Sequence, residues 1–326
     1  MLSRRDVLLN MSIAGVGTLI RGGDALFAAP PSHPSTPINF PVPAHACDSH
    51  THVFGDPARY PYITPRGYTP EQTSIAETVA VHKALHMERI VFVQPSVYGT
   101  DNSCMLNAMR EIGSVTRGIA VVNDKTPESE MDRMYGAGVR GIRANVEDSG
   151  LFDADLCWPV IQTAMNRIKN RPGWHVQIHT RPSVIEGLKD RLMTAPVPIV
   201  IDHFGEAKAA LGVEQPGFPT LLTLVQKGKV YVKLSAPYHL SSKEPDFSDV
   251  APLAKALIAA NPHQVLWGSD WPHSTNIQGP GRTFRDISPF RQIDDGISLN
   301  QLGIWAPTAT LRKLILVDNP AKLFGF

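Results

Sequence analysis

Trp174-His175-Val176-Gln177-Ile178-His179 and Pro198-Ile199-Val200-Ile201-Asp202-His203 are two short apolar runs separated by a stretch of helical character. The second does not alternate apolar with polar residues. A strand buried on both faces reads this way, and such strands belong to parallel sheets. Both runs also end in a histidine. Six further runs read as strands, and most of the eight are dense in Val and Ile without alternation: Ala46–Phe54, Arg89–Gln94, Gly118–Val122, Val139–Ala144, Val230–Leu234 and Val265–Ser269. Eight strands alternating with helices predict a (β/α)8 barrel of the TIM type over residues 44–326. A doubly wound open sheet usually carries a glycine-rich phosphate loop after its first strand. No Gly-x-Gly-x-x-Gly follows the first strand, and no P-loop is present.

Helix signals fall between the strands. Thr69-Pro70-Glu71-Gln72 predicts an N-cap, a first-turn proline and a capping-box glutamine, with Ile75, Val79 and Leu85 on one face. Thr126-Pro127 opens a helix that Gly138 can close. Asp155–Asn170 is another, and Ser248 is placed to cap one running to Ala260.

Ahead of the barrel, Ser3-Arg4-Arg5 precedes an uncharged stretch from Val7 to Ile20. This pattern resembles a twin-arginine export signal spanning residues 1–29, and it predicts a periplasmic protein. If the segment is not a working signal, the expectation is a cytoplasmic one. Residues 30–43 are proline-rich and predict a disordered leader.

Composition narrows the function. Lys and Arg number 31 against 30 Asp and Glu, a net charge of +1 that does not suit a nucleic-acid backbone binder. No stretch suggests a stable membrane span. Cys47, Cys104 and Cys157 form neither a disulfide framework nor a Cys-x-x-Cys motif. Self-association into a homo-oligomer stays open.

Barrel chemistry sits at the C-terminal ends of the strands. There this chain places His50 and His52, then Arg143 and Asn145, His179, Asp202 and His203, and Asp270. Two residues apart on a strand, His50 and His52 project from one face. Imidazoles with a carboxylate can hold a divalent ion such as zinc or manganese and leave a water position open. Without a metal, Asp270 can take a proton from water while His50, His52 or His203 polarise a carbonyl. Arg143 offers a planar fork for a carboxylate. No Gly-x-Ser-x-Gly elbow points to a serine nucleophile.

Five motifs then resemble the amidohydrolase superfamily: Asp48–Gly55, Pro95–Asn102, Asp202–Gly205, Gly268–His273 and Asn319–Phe326. They are most similar to the branch of 2-pyrone-4,6-dicarboxylate lactonase and the sugar-lactone hydrolases and isomerases. The resemblance covers about residues 44–326. It implies water attack on a lactone carbonyl, with Asp270 as base and His50, His52 and His203 polarising the carbonyl. It also implies that Arg143 binds a substrate carboxylate and that Ser96, Tyr98 and Asn102 line the pocket. Tyr238 and His273 would be further contacts.

Two positions depart from the branch. His239 stands where the pyrone lactonase type tends to have an arginine, which favours a different or smaller acid lactone. His179 completes a His50/His52/His179/Asp270 set that holds one divalent ion in metal-dependent relatives. The cofactor expectation is therefore none or one divalent ion, and strand four lacks the Lys or Glu of a binuclear site. The leading expectation is a hydrolase of small carboxylated lactones. A lactone isomerase or a metal-dependent decarboxylase on the same barrel are the alternatives.

Overall fold

The computed structural model describes residues 30–277 and 279–326. Eight parallel strands follow one another around a single sheet. They are β1 (Cys47–Thr51), β2 (Arg89–Val93), β3 (Thr116–Ala120), β4 (Val139–Asn145), β5 (His175–His179), β6 (Ile199–Ile201), β7 (Val230–Leu234) and β8 (Val265–Trp267). A parallel bridge between Thr51 and Trp271 draws the first and last strands together, and the Thr51 hydroxyl donates to the Trp271 carbonyl at 3.1 Å. This is the (β/α)8 barrel that the sequence predicts, with all eight strands in the expected places.

Most of the strands lack alternation because they meet apolar neighbours on both sides. Cys47, Val91, Val93, Ile119, Val200 and Leu266 form an inner cluster that Leu323 and Phe324 close from the chain's C-terminal end. The outward residues, Ile90, Phe92, Ile142, Val176 and Val232 among them, join the larger core beneath the helices. Polar side chains occupy other inner positions: His50, Gln177, Asp202 and Lys233 are all fully buried.

Several local expectations are corrected. Thr69-Pro70 does not cap a helix but pairs in parallel with Ile287–Ser288. The helix begins at Ile75, where Ser74 and Glu77 form a reciprocal capping box. Its buried face is Thr78, Val81 and His82, and Val79 is exposed. Glu71 is instead buried, accepting from the Phe290 amide at 3.4 Å. Ser248 opens a 3-10 turn ahead of the helix Ala251–Ala260 rather than capping it. The helices Glu128–Gly136 and Ala154–Ile168 lie close to their expected positions.

The proline-rich segment is not a free leader from residue 30 onward. The Trp271 indole donates to the Ser32 carbonyl at 3.1 Å. Ser35 and Thr36 donate to the Asp294 carboxylate, and Asn39 donates its amide to Asn300 at 2.8 Å. Proline-rich chain forms no ladder of its own, so side chains of the barrel supply its hydrogen bonds. The paired arginines and the uncharged run lie outside the described residues. No helix among the described residues is long and apolar enough to cross a membrane.

Candidate active site

Asp48 holds two strand ends together beneath the site. It is fully buried and accepts from the amides of His50 and Ser269, from the Ser269 hydroxyl and from His82 Nε2. Gly268 permits the approach, since a Cβ there would lie 2.6 Å from His50 Cβ and 2.8 Å from its backbone nitrogen. The backbone then turns sharply. Asp270 sits at φ +65° and His203 at φ +49°, conformations that cost a non-glycine residue of order 1–3 kcal/mol. Asp270 is held there by its amide bond to the His50 carbonyl at 2.8 Å and by the turn to His273 at 2.9 Å.

Three imidazoles converge on one oxygen. Asp270 Oδ1 lies 3.3 Å from His50 Nε2, 3.4 Å from His52 Nε2 and 3.8 Å from His203 Nε2. The Tyr238 hydroxyl donates to the other oxygen, Oδ2. Oδ1 is buried without a hydrogen-bond partner, and so is His50 Nε2. His52 Nδ1 lies 2.7 Å from the Val93 carbonyl, which can only accept, so this nitrogen carries a proton. His50 Nδ1 lies 3.3 Å from the Asp202 carboxylate and 3.4 Å from the Lys233 ammonium. The Nε2 atoms of both rings face the Asp270 carboxylate.

The spacing of these three ligand atoms suits a divalent ion between them. Ligands about 2.0–2.1 Å from a tetrahedral ion stand roughly 3.4 Å apart. The two nitrogen–oxygen separations at His50, His52 and Asp270 match this spacing. These three residues can therefore hold a divalent ion.

His179 does not join them. Its Nε2 lies 3.0 Å from Glu206 Oε1, and its Nδ1 lies 3.2 Å from Asn145 Oδ1. Asn145 is fixed the other way by its amide bond to Asp148, so both His179 nitrogens face acceptors. His179 is thus an imidazolium, and although burial opposes the charge, Glu206 and Asp148 raise its pKa. The expected fourth metal ligand is instead a fixed cation at the cavity wall.

Charge is arranged in layers. Burial would raise Asp270, but the surrounding His203, His52 and His50 imidazoles hold its carboxyl well below the usual range. Burial pushes His203 down to about 3, and burial with the nearby Lys233 ammonium keeps His50 neutral. Below them Lys233 donates to Gln177 at 2.6 Å and stands 3.7 Å from Asp202. Arg143 Nε approaches the same Asp202 carboxylate at 3.5 Å.

The cavity above these groups measures about 480 Å³. His52, His203, Asp270, Arg143, His179 and Ser96 line it, as the sequence reading expects. The other expected contacts stand behind the wall. The Tyr98 hydroxyl accepts from the Gly55 amide, and Asn102 bonds to Val121 and Thr100. His273 is fully buried against Asp295 at 3.1 Å. Tyr238 reaches the site through Asp270. Arg66, Arg291 and Tyr68 were not expected and line the mouth. They come from loops outside the strand ends, where no barrel rule directs attention. Lys233 was also missed, although a charge inside an otherwise apolar strand run was a readable signal.

The family model for amidohydrolases matches residues 47–326. The chain belongs to the amidohydrolase family. It is 37% identical to a 4-sulfomuconolactone hydrolase of Rhizobium radiobacter over 89% of this chain and 93% of that one. It is 33% identical to a 2-pyrone-4,6-dicarboxylate hydrolase of Comamonas testosteroni, over 90% of this chain and 94% of that one. Among solved structures it resembles a probable 2-pyrone-4,6-dicarboxylic acid hydrolase from Acinetobacter baumannii. There the TM-score is 0.68 at 27% identity, over 86% of this chain and 100% of that one.

Proposed function

We propose that this amidohydrolase opens the ring of a small carboxylated lactone with water. The observation that carries the reading is Asp270 Oδ1, an ionised and unpartnered buried oxygen facing the cavity. It takes a proton from water as the water oxygen attacks the lactone carbonyl. His203, whose Nε2 lies 3.8 Å from Oδ1, is placed to steady the carbonyl oxygen as charge builds on it. Arg143 anchors a ring carboxylate, with Asp202 fixing its orientation. The named substrates of the two relatives support this reading, since a lactone ring is common to both.

The donor set His50, His52 and Asp270 favours one divalent ion, with zinc ahead of manganese because two of the three ligands are imidazoles. Such an ion would act as a Lewis acid and lower the pKa of water at the site. The Arg4-Arg5 pair and the uncharged run after it support twin-arginine export, tested by fractionating cells that express the full chain.

Proton NMR of the protein with 2-pyrone-4,6-dicarboxylate and a galactaric acid lactone tests the function. Appearance of the open-chain acid is the expected result. A shifted lactone without ring opening would make the protein an isomerase. No change in either would overturn the reading.

A further inference from the structure

Water attack needs a base, and departure of the ring oxygen needs an acid. Asp270 supplies the base but cannot serve both ends of the ester at once. Among the cavity residues, His239 has a free ring nitrogen and a charged partner behind it. Its Nδ1 lies 2.8 Å from Glu206 Oε1, and a carboxylate can only accept, so Nδ1 is the donor. Its Nε2 has no hydrogen-bond partner among the described residues, and the ring lines the cavity. Glu206 is itself buried and held from three sides. His179 Nε2 meets the same oxygen at 3.0 Å, and Lys208 Nζ lies 3.3 Å from Oε2. Lys208 also donates to the His239 carbonyl at 2.7 Å, which pins the backbone that carries the ring.

The placement relative to Asp270 completes the geometry. His203 is close to both: its Nε2 lies 3.8 Å from Asp270 Oδ1, and its ring centroid lies 5.2 Å from that of His239. A carbonyl carbon in front of His203 therefore has both the water-activating oxygen and His239 within reach. The leaving oxygen is one bond from that carbon.

Resting on the lactone reading above, we propose that His239, oriented by Glu206, is the general acid that protonates the leaving ring oxygen. In that step the bond between the carbonyl carbon and the ring oxygen breaks, and its electron pair goes to the oxygen. The proton on His239 Nε2 moves to that oxygen and leaves a hydroxyl or enol. His239 is left neutral, keeping its Nδ1 proton in the hydrogen bond to Glu206. The proton that Asp270 took from water returns through solvent to restore His239, so the net reaction consumes one water. A general acid of this kind contributes about 10²–10⁴-fold.

The test is chemical rescue on whichever of 2-pyrone-4,6-dicarboxylate and galactaric acid lactone the full chain opens. His239→Gly is expected to lower kcat at least about 100-fold with KM changed less than about five-fold. Added imidazole is expected to restore at least about ten-fold of that loss. His239→Asn, which keeps a donor toward Glu206, is expected to lose kcat without rescue, and its circular dichroism shows whether the fold is intact. Folded variants that lose only KM, keep kcat, or fail to respond to imidazole would overturn the role of His239 and leave the hydrolase reading standing. A wild-type protein that opens neither lactone would overturn both.

Discussion

The Tyr238 hydroxyl donates to Oδ2 of Asp270 and so decides which carboxylate oxygen meets the imidazoles. Without that bond Asp270 is free to rotate about its side chain, and neither oxygen is held toward water. Tyr238→Phe is expected to lower kcat about ten-fold, equivalent to about 1.4 kcal/mol, with little change in KM. Steady-state kinetics on an opened lactone check this. An unchanged kcat would mean that Asp270 is positioned by its backbone alone.

Gly268→Ala tests barrel closure at the site. The added Cβ would meet His50 Cβ at 2.6 Å and its backbone nitrogen at 2.8 Å, and backbone cannot step aside as a flexible side chain can. A cost of about 1–3 kcal/mol is expected, together with loss of turnover, because the same shift moves His50 away from Asp270. Urea denaturation measures the first and kinetics the second. A variant as stable as the wild type would contradict the close approach.

Stability is expected to fall as the solution is acidified below about pH 6.5. Burial pushes His175 and His203 down to about 3 from an ordinary 6.5, and burial with the Lys233 ammonium holds His50 well below 6.5. Above 6.5 all three are neutral whether folded or unfolded, and they contribute nothing. Below 6.5 the unfolded chain binds three protons that the folded chain refuses. The slope is then roughly 4 kcal/mol per pH unit. Both ring nitrogens of His175 are buried without partners, so His175→Gln should remove about a third of the slope. Urea midpoints at pH 7, 6 and 5 check this, and a flat profile would contradict it.

Much of the fold was legible. Most of the strands could be placed because a doubly buried strand is a run dense in Val and Ile with no alternation, as in Ile199-Val200-Ile201. Thr69-Pro70 misled because a capping signal is local. Its pairing with Ile287–Ser288 depends on a loop more than two hundred residues away. The proline-rich segment misled because composition measures the lack of a core but not the docking surface that Asp294, Asn300 and Trp271 provide. In the site, His50, His52, His203 and Asp270 followed from strand ends alone. The role of His179 did not, because it turns on Glu206 and Asn145, whose side chains reach it from elsewhere in the fold.

Metal content tests the convergence of the three ligands. Protein purified without chelator is expected to carry about one divalent ion per chain by elemental analysis. His52→Asn should lose it, whereas His179→Asn should retain it, because His179 faces Glu206. Loss of the ion in His179→Asn with the fold intact would place that residue among the ligands after all.

The most direct test of the whole account is Asp270→Asn. The amide keeps the shape of the side chain and its contact with Tyr238, but it cannot take a proton from water. On a lactone that the wild type opens, the account predicts a fall in kcat of at least about 1,000-fold in a protein that is folded and still binds the lactone. A folded variant that keeps a tenth of the wild-type rate would contradict it.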